Sequence, residues 1–172
     1  FSDDSFKEAG ASIAKDTAGA LKAADVVLKI QCLTTSGAKS ELSMLKKGAV
    51  LIASLGALSN KKDMEAIAKA GVTSFAMELM PRITRAQSMD IISSQSNLAG
   101  YKAVLEAANV YGSVFPMMMT AAGTIAPARV FIMGVGVAGL QAIATAKRLG
   151  AIVSATDVRP ATKEQIESLG GK

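Results

Sequence analysis

Residues 129–157 read RVFIMGVGVAGLQAIATAKRLGAIVSATD, and this stretch decides the fold. It begins with an apolar run, residues 129–133, and passes through a glycine-rich turn into a helical pattern at residues 137–149. A second apolar run, residues 151–156, ends just before Asp157. A strand, a glycine turn, a helix and a second strand in this order predict a β-α-β unit with parallel strands.

Three glycines of this stretch have the spacing of a dinucleotide-binding turn. Gly134 would permit the tight turn, Gly136 would let main-chain N–H groups approach a pyrophosphate, and Gly139 would allow helix and strand to pack closely. Asp157 lies where a carboxylate accepts hydrogen bonds from the adenosine ribose of NAD. This pattern favours NAD(H) over NADP(H), although an arginine such as Arg159 can accommodate a 2′-phosphate. The alternative is a βα turn with glycines for packing alone.

The first half of the chain shows the same alternation of strands and helices. Apolar runs predict buried strands at residues 26–33, 49–55 and 72–77. Helical patterns lie before and between them, at residues 3–9, 16–24, 40–47 and 59–70. Strands that alternate with helices at this spacing predict a parallel sheet with right-handed crossovers.

A polar loop at residues 81–90 follows the third of these strands, at the edge where open α/β sheets bind ligands. Arg82, Gln87 and Asp90 have side chains suited to a nicotinamide mononucleotide, since they can pair with carbonyl, amide and hydroxyl groups. Ser93, about one turn after Asp90, is expected on the same side. A solvated turn is the alternative. Glu78, just before the loop, is expected to cap a helix or to form a salt bridge with Arg82 or Arg85, and a buried acid is the alternative.

The chain is expected to contain two incomplete lobes. Residues 90–111 predict a long helix, residues 117–119 a methionine-rich packing loop, and residues 161–169 a final helix. After Arg129 only two strands are predicted, whereas a dinucleotide fold has about six. We therefore expect an α/β protein with two Rossmann-like parallel-sheet lobes, both incomplete in this chain. They are part of a first lobe at 1–89, an interdomain helix at 90–111 and the start of an NAD-binding lobe at 112–172.

The composition excludes several kinds of function. The 172 residues include no histidine, which removes Ser-His-Asp and Cys-His catalysis and every histidine metal site, so no metal is predicted. Cys32 lies in an apolar run and is interpreted as a core thiol. The net charge of +5 is scattered and indicates no nucleic-acid partner. Proline and glycine interrupt the apolar residues 107–146, so no direct membrane insertion is expected.

The chain also resembles a known family. The stretches ELMPRITRAQSMDIISSQSNLAGY (residues 78–101) and FPMMMTAAGT (residues 115–124) are similar to the NAD(H)-binding first domain of proton-translocating nicotinamide nucleotide transhydrogenase, and so is the glycine turn through residue 160. The resemblance spans essentially the whole chain. It favours the bacterial form with a separate alpha subunit.

The resemblance implies roles for individual residues. Arg82, Gln87 and Asp90 would orient the nicotinamide, with Ser93 beside them. The remaining residues expected to contact the cofactor are Gly134, Gly136, Val137, Ala138, Gly139, Asp157, Val158 and Arg159. Of these, Val137 would lie near the nicotinamide and Asp157 on the adenosine ribose.

The resemblance also implies an activity and partners. Hydride would pass directly from NADH on this domain to NADP+ on a separate NADP(H)-binding domain, so no side chain need act as acid, base or nucleophile. A membrane partner would translocate the proton, and the protein would work as a cytoplasmic homodimer held at the bacterial inner membrane by its partners. One alternative is alanine dehydrogenase, a relative in fold that relies on a catalytic histidine and a substrate lysine. Another is a non-catalytic NAD-binding module.

Overall fold

The computed structural model describes every residue from Phe1 to Lys172, and the chain forms two compact units, Phe1–Asp90 and Ile91–Lys172. Parallel strands and helices build the core of each unit. The predicted α/β class with Rossmann-like parallel sheets is therefore confirmed. The division into a first lobe, an interdomain helix and a second lobe stays a prediction.

The first unit is a three-stranded parallel sheet in the order β1-β2-β3. Its strands are β1 (Val26–Gln31), β2 (Val50–Ser54) and β3 (Thr73–Ala76). Its helices are α1 (Asp3–Glu8), α2 (Thr17–Leu21) and α3 (Lys61–Lys69), with short 3-10 helices at Leu42–Met44, Met77–Leu79 and Thr84–Met89. The register aligns the first residues of β2 and β3, so their carboxyl ends lie at the same edge.

One face of this sheet is buried and the other is exposed. Leu51 and Ala53 alternate toward the core because successive strand side chains point to opposite faces, and Ile67 of α3 packs in the same cluster. Leu28 and Ile30, on β1, are 75% and 88% exposed. The prediction that all three strands are buried is therefore wrong for this second face.

The second unit combines a long helix, a hairpin and a β-α-β unit. The helices are α4 (Ile91–Val110), α5 (Val137–Arg148) and α6 (Thr162–Ser168). The strands are β4 (Met118–Thr120), β5 (Gly123–Ile125), β6 (Arg129–Met133) and β7 (Ile152–Thr156). Strands β6 and β7 are parallel neighbours. Ile143 and Ala146 of α5 are fully buried beside Val153 of β7.

Two segments differ from the sequence prediction. Residues 40–47 form no α-helix, because Ser40 and Ser43 bond to each other's main chain and Glu41 accepts a hydrogen bond from the amide of Thr34 at 2.8 Å. The methionine-rich packing loop is also wrong, since Met118–Thr120 and Gly123–Ile125 pair as an antiparallel hairpin. The hairpin lacks the alternation of apolar and polar residues that marks a strand.

None of the helices combines the length and the apolar character needed to span a membrane.

Candidate functional site

The glycine-rich turn connects β6 to α5 within the second unit. Gly134 has φ +94°, in the left-handed region that favours glycine, and its amide donates to the carbonyl of Thr156 at 2.8 Å. Gly136 is the N-cap residue of α5. The turn therefore presents the first main-chain N–H groups of a 12-residue helix at the carboxyl end of the sheet.

The other two glycines of the motif differ in the space around them. A Cβ on Gly139 would lie 1.9 Å from the carbonyl oxygen of Gly134, so only glycine fits there. A Cβ on Gly136 would meet no atom within 4 Å. Gly139 thus allows α5 to pack closely against the turn, whereas Gly136 borders open space that a ligand can enter.

Asp157 follows β7 and receives four hydrogen bonds. Its Oδ2 accepts from the Val135 amide at 2.7 Å and from Arg159 Nη2 at 3.2 Å. Its Oδ1 accepts from the Arg159 amide at 2.8 Å and from Arg159 Nε at 2.9 Å. The carboxylate therefore ties the end of β7 to the glycine turn after β6.

The arginine is also bonded to the turn. Arg159 Nη2 donates to the carbonyl of Val135 at 3.1 Å. The side chain of Asp157 is 7% exposed, and that of Arg159 is 60% exposed. Hydrogen bonds from the Arg159 side chain and the Val135 amide hold the pKa of Asp157 well below its usual range, so the carboxylate is ionised at neutral pH.

The other residues expected at this turn are placed as follows. Val137 begins α5 and is 37% exposed, and Ala138 follows it, half-buried. Val158 lies between the paired Asp157 and Arg159 and is 97% exposed. The structure therefore brings the glycine turn, Asp157 and Arg159 together by direct contacts and leaves Val158 free of packing.

Helix α4 supports the turn through contacts that the sequence pattern does not predict. A Cβ on Gly100 would lie 2.1 Å from the carbonyl oxygen of Ala138, so this glycine lets α4 approach the first turn of α5. Asn97 Nδ2 donates to Gln141 Oε1 at 3.1 Å and joins the same helices. A glycine within a helix lowers helix stability by about 1 kcal/mol relative to alanine. A glycine at position 100 of a predicted helix therefore indicates close packing against a neighbouring element.

Three of the predicted nicotinamide residues, Arg82, Gln87 and Asp90, lie on one short segment of the first unit. Arg82 and Gln87 are exposed, and the 3-10 helix Thr84–Met89 that contains Gln87 is anchored by the buried Ala86. Asp90 directly follows this helix and is half-buried. Ser93 is half-buried in α4, which belongs to the second unit.

The carboxylate of Glu78 accepts hydrogen bonds from main-chain amides of a loop, instead of capping a helix or pairing with an arginine. Its Oε2 accepts from the Leu55 amide at 3.0 Å and its Oε1 from the Ala57 amide at 2.9 Å. Burial raises the pKa of Glu78, but main-chain donors led by Ala57 outweigh burial, and the net pKa is lowered. The acid therefore fixes the loop after β2.

The cysteine and the metal-ligating residue types add no binding group to this site. Burial, followed by the nearby Asp63, raises the pKa of the Cys32 thiol, which keeps it protonated at neutral pH. No cluster of three or more Cys, Asp or Glu side chains could hold a metal ion. The glycine turn with Asp157 and Arg159 is thus suited to holding a ligand.

A parallel β-α-β unit with a glycine turn and an acid at the second strand end defines the Rossmann-like class of α/β proteins. Residues 1–99 match the family "Alanine dehydrogenase/PNT, N-terminal domain", and residues 103–172 match "Alanine dehydrogenase/PNT, C-terminal domain". The chain belongs to this alanine dehydrogenase/PNT family.

The relatives confirm the resemblance to transhydrogenases. The chain is 63% identical to the first of the separate pieces of "NAD(P) transhydrogenase subunit alpha" from Rhodospirillum rubrum, over 99% of this chain and 44% of the relative. It is 51% identical to the corresponding protein from Rickettsia prowazekii, over 100% of this chain and 45% of the relative. "Alanine dehydrogenase" of Mycolicibacterium smegmatis is 28% identical, over 99% of this chain and 46% of the relative. The chain thus spans less than half the length of these relatives.

Solved structures agree. The crystal structure of transhydrogenase from Sinorhizobium meliloti superposes with a TM-score of 0.92 at 57% identity, over 100% of this chain and 50% of the other. An L-alanine dehydrogenase gives a TM-score of 0.76 at 22% identity, over 100% of this chain and 46% of the other, and shares the fold.

Proposed function

We propose that this chain is the NAD(H)-binding component of a proton-translocating transhydrogenase, in which hydride passes directly between NADH and NADP+. The observation that carries the proposal is the open space over Gly136, the residue after the Val135 whose amide donates to Asp157, in a chain 63% identical to a transhydrogenase alpha subunit. The glycine turn would bind the dinucleotide, and the loop of Arg82, Gln87 and Asp90 would orient its nicotinamide.

The proposed binding mode follows from the geometry of the second unit. Main-chain N–H groups at the start of α5 and the positive end of its dipole attract a pyrophosphate, and Gly136 leaves room for it. Asp157 would accept the adenosine ribose hydroxyls, with Gly134, Gly139 and Ala138 shaping the turn. The exposed Val158 lies next to Asp157, where an adenine ring can cover it.

The proposed chemistry fits a site without acid, base or nucleophile. The bound NADH supplies the hydride, and the protein supplies position and orientation. Arg82, Gln87 and Asp90, with Ser93 and Val137, would hold the nicotinamide in the orientation for transfer. The acceptor NADP+ would lie on a partner domain, and a membrane partner would couple transfer to proton movement. We also propose a homodimer held at the cytoplasmic face of the inner membrane by those partners.

Transhydrogenation is favoured over alanine oxidation by two observations. The chain is 63% identical to the transhydrogenase relative and 28% identical to the alanine dehydrogenase relative. It also contains no histidine, the residue on which the alanine dehydrogenase family relies for catalysis.

The assay that tests the proposal combines the full chain with an NADP(H)-binding partner domain. We expect reduction of an NADP+ analogue by NADH only when the partner is present, monitored at a wavelength where the two reduced nucleotides differ. Formation of NADH that depends on alanine, with no transfer between nucleotides, would contradict the proposal.

A substitution in the polar loop tests the orienting role of Gln87. Gln87→Asn retracts the amide by one methylene without removing it, so it should slow hydride transfer more than it weakens NADH binding. Single-turnover rates and NADH titrations measure the two effects separately. Equal losses in rate and affinity would indicate that Gln87 contributes affinity alone.

A further inference from the structure

Helices α4 and α5 are joined by a close main-chain approach and by a hydrogen bond between side chains. Gly100 of α4 lies so near α5 that a Cβ on it would be 2.1 Å from the carbonyl oxygen of Ala138. Three residues before Gly100, Asn97 Nδ2 donates to Gln141 Oε1 of α5 at 3.1 Å. Apolar packing has no preferred direction, whereas a hydrogen bond requires a defined distance and angle. The bond between Asn97 and Gln141 therefore restricts the rotation of α4 against α5 more than the contact at Gly100 does.

The acceptor of this bond is itself held in place by a residue one turn further along α5. Gln141 Nε2 donates to Thr145 Oγ1 at 3.0 Å, and this hydroxyl donates to the carbonyl of Gln141 at 2.8 Å. Thr145 is buried. Both ends of the Gln141 amide are therefore engaged, since Oε1 accepts from α4 and Nε2 donates within α5. The three hydrogen bonds form a continuous chain from Asn97 to the main chain of α5.

Each residue of the bond between the helices lies one helical turn after a residue proposed to hold the nicotinamide. Ser93 precedes Asn97 by four positions in α4, and Val137 precedes Gln141 by four positions in α5. Side chains four residues apart lie on the same face of an α-helix. A rotation of α4 about its axis would thus move Ser93 relative to Val137, and the bond opposes that rotation.

The same bond is expected to contribute little to the stability of the fold. Asn97 is exposed, and Gln141 is half-buried. A hydrogen bond that remains open to water replaces bonds to water of similar strength. Alanine is also the better helix former, so its substitution for Asn97 would offset part of the loss. An effect of the bond on orientation can therefore be measured apart from its effect on stability.

We propose that Asn97 and Gln141 are positioning residues for hydride transfer, which keep Ser93 and Val137 in the mutual orientation that the nicotinamide requires. This inference rests on the proposed function and deepens it. Loss of the bond leaves the glycine turn and Asp157 unchanged, so the dinucleotide still binds while its nicotinamide ring becomes loosely held. A misplacement of about 1 Å can slow a reaction about a hundredfold. The transfer rate therefore depends on this bond more than NADH affinity does.

The variant Asn97→Ala of the full chain, assayed with an NADP(H)-binding partner domain, tests the assignment. The single-turnover rate of transfer should fall about tenfold, whereas the dissociation constant for NADH, measured by titration calorimetry, should change less than about threefold. The melting temperature without nucleotide should not fall. Gln95→Ala is the matched control, because it removes an exposed amide of the same helix about 200° around its axis from Asn97. This control should transfer hydride at the rate of the unmodified chain.

The fluorescence of bound NADH supplies a measurement that does not depend on turnover. The reduced nicotinamide ring is itself the fluorophore, so the decay of its anisotropy reports the motion of the ring in the site. The anisotropy should decay faster in Asn97→Ala than in the unmodified chain or in Gln95→Ala. Equal decay in all three proteins would overturn the inference.

A double-mutant cycle with Gln141→Ala shows whether the two residues act through their bond. Each single variant should slow transfer, and the double variant should be no slower than the slower of the two. Losses that multiply in the double variant would overturn the inference, because the residues would then act separately. Equal losses of rate and NADH affinity in Asn97→Ala would overturn it as well. If the unmodified chain binds no NADH, or binds it and transfers no hydride to the partner, the proposed function itself fails and the inference fails with it.

Discussion

Both units place an acid after a strand and use it to hold the loop that follows the neighbouring strand. In the first unit Glu78, after β3, accepts from the amides of Leu55 and Ala57 beyond β2. In the second unit Asp157, after β7, accepts from the amide of Val135 beyond β6. The two carboxylates thus do the same structural work at the carboxyl edges of two parallel sheets.

The two edges differ in the space above the turn and in the partner of the acid. A Cβ on Gly56 would lie 2.7 Å from Asn60 Nδ2, so the chain's own side chain covers that turn. Nothing lies within 4 Å of a Cβ on Gly136. Asp157 has Arg159 as an ionic partner, whereas Glu78 is held by main-chain donors. An acid at a strand end therefore does not by itself identify a ligand site, and the two edges differ in the space beside the glycine of the turn and in the ionic partner of the acid.

The largest expected effect is a difference in stability between substitutions at Gly139 and Gly136, the closely packed and the open glycine where β6 connects to α5. Gly139→Ala forces a Cβ against the carbonyl of Gly134 and should destabilise the protein by about 2–3 kcal/mol. Gly136→Ala should cost less than about 1 kcal/mol, because its Cβ enters open space. Urea unfolding measures both changes.

The Gly136→Ala variant also tests the ligand site. Gly136→Ala should weaken NADH binding on the order of tenfold by filling the space left for the pyrophosphate. A Gly136→Ala variant with unchanged NADH affinity would show that the open turn is not the binding surface.

The next effect concerns the support of that turn by α4. Gly100→Ala would improve helix propensity but place a Cβ 2.1 Å from the carbonyl of Ala138, so we expect a net loss of about 1–2 kcal/mol. Gly112→Ala, just beyond the end of α4, is the comparison variant, because nothing lies within 4 Å of its Cβ. Equal unfolding free energies for the two variants would contradict the close approach of α4 to α5.

The smallest expected effect concerns the first unit, where the Glu78 carboxylate accepts hydrogen bonds from the amides of Leu55 and Ala57. Glu78→Gln keeps one acceptor oxygen and should cost about 1 kcal/mol at neutral pH, with NADH affinity unchanged. Because the pKa of Glu78 is lowered in the folded state, its stabilising contribution is complete above its usual value of 4.5 and is lost as the pH falls below that value. The variant should therefore lose less stability than the unmodified protein on acidification. If the unfolding free energies of the variant and the unmodified protein fall equally with pH, the Glu78 carboxylate does not stabilise the loop after β2.

Much of the fold was predictable because its signals are local. Strand β6, the glycine turn and α5 follow from residues 129–149, where apolar runs and glycines specify both periodicity and turn. The 3-10 segment Leu42–Met44 was missed because its conformation depends on Glu41, whose carboxylate bonds to the distant Lys29 and Thr34. The hairpin of β4 and β5 was missed because its strands carry no alternating pattern.

The candidate site was predictable in its residue types but not in its pairings. The acid after β7 and the glycines before α5 were expected from their spacing. The hydrogen bonds from the Arg159 guanidinium to Asp157 were not, since a sequence does not show which way an exposed arginine turns. The role of Glu78 was also missed, because its partners are main-chain amides more than 20 residues away.

Hydrogen exchange of the full chain with and without NADH compares the two strand-end loops in one sample. NADH bound at the glycine turn should slow exchange at the amides of residues 135–139 and leave those of residues 55–60 unchanged. Protection of residues 55–60 with none at residues 135–139 would contradict it.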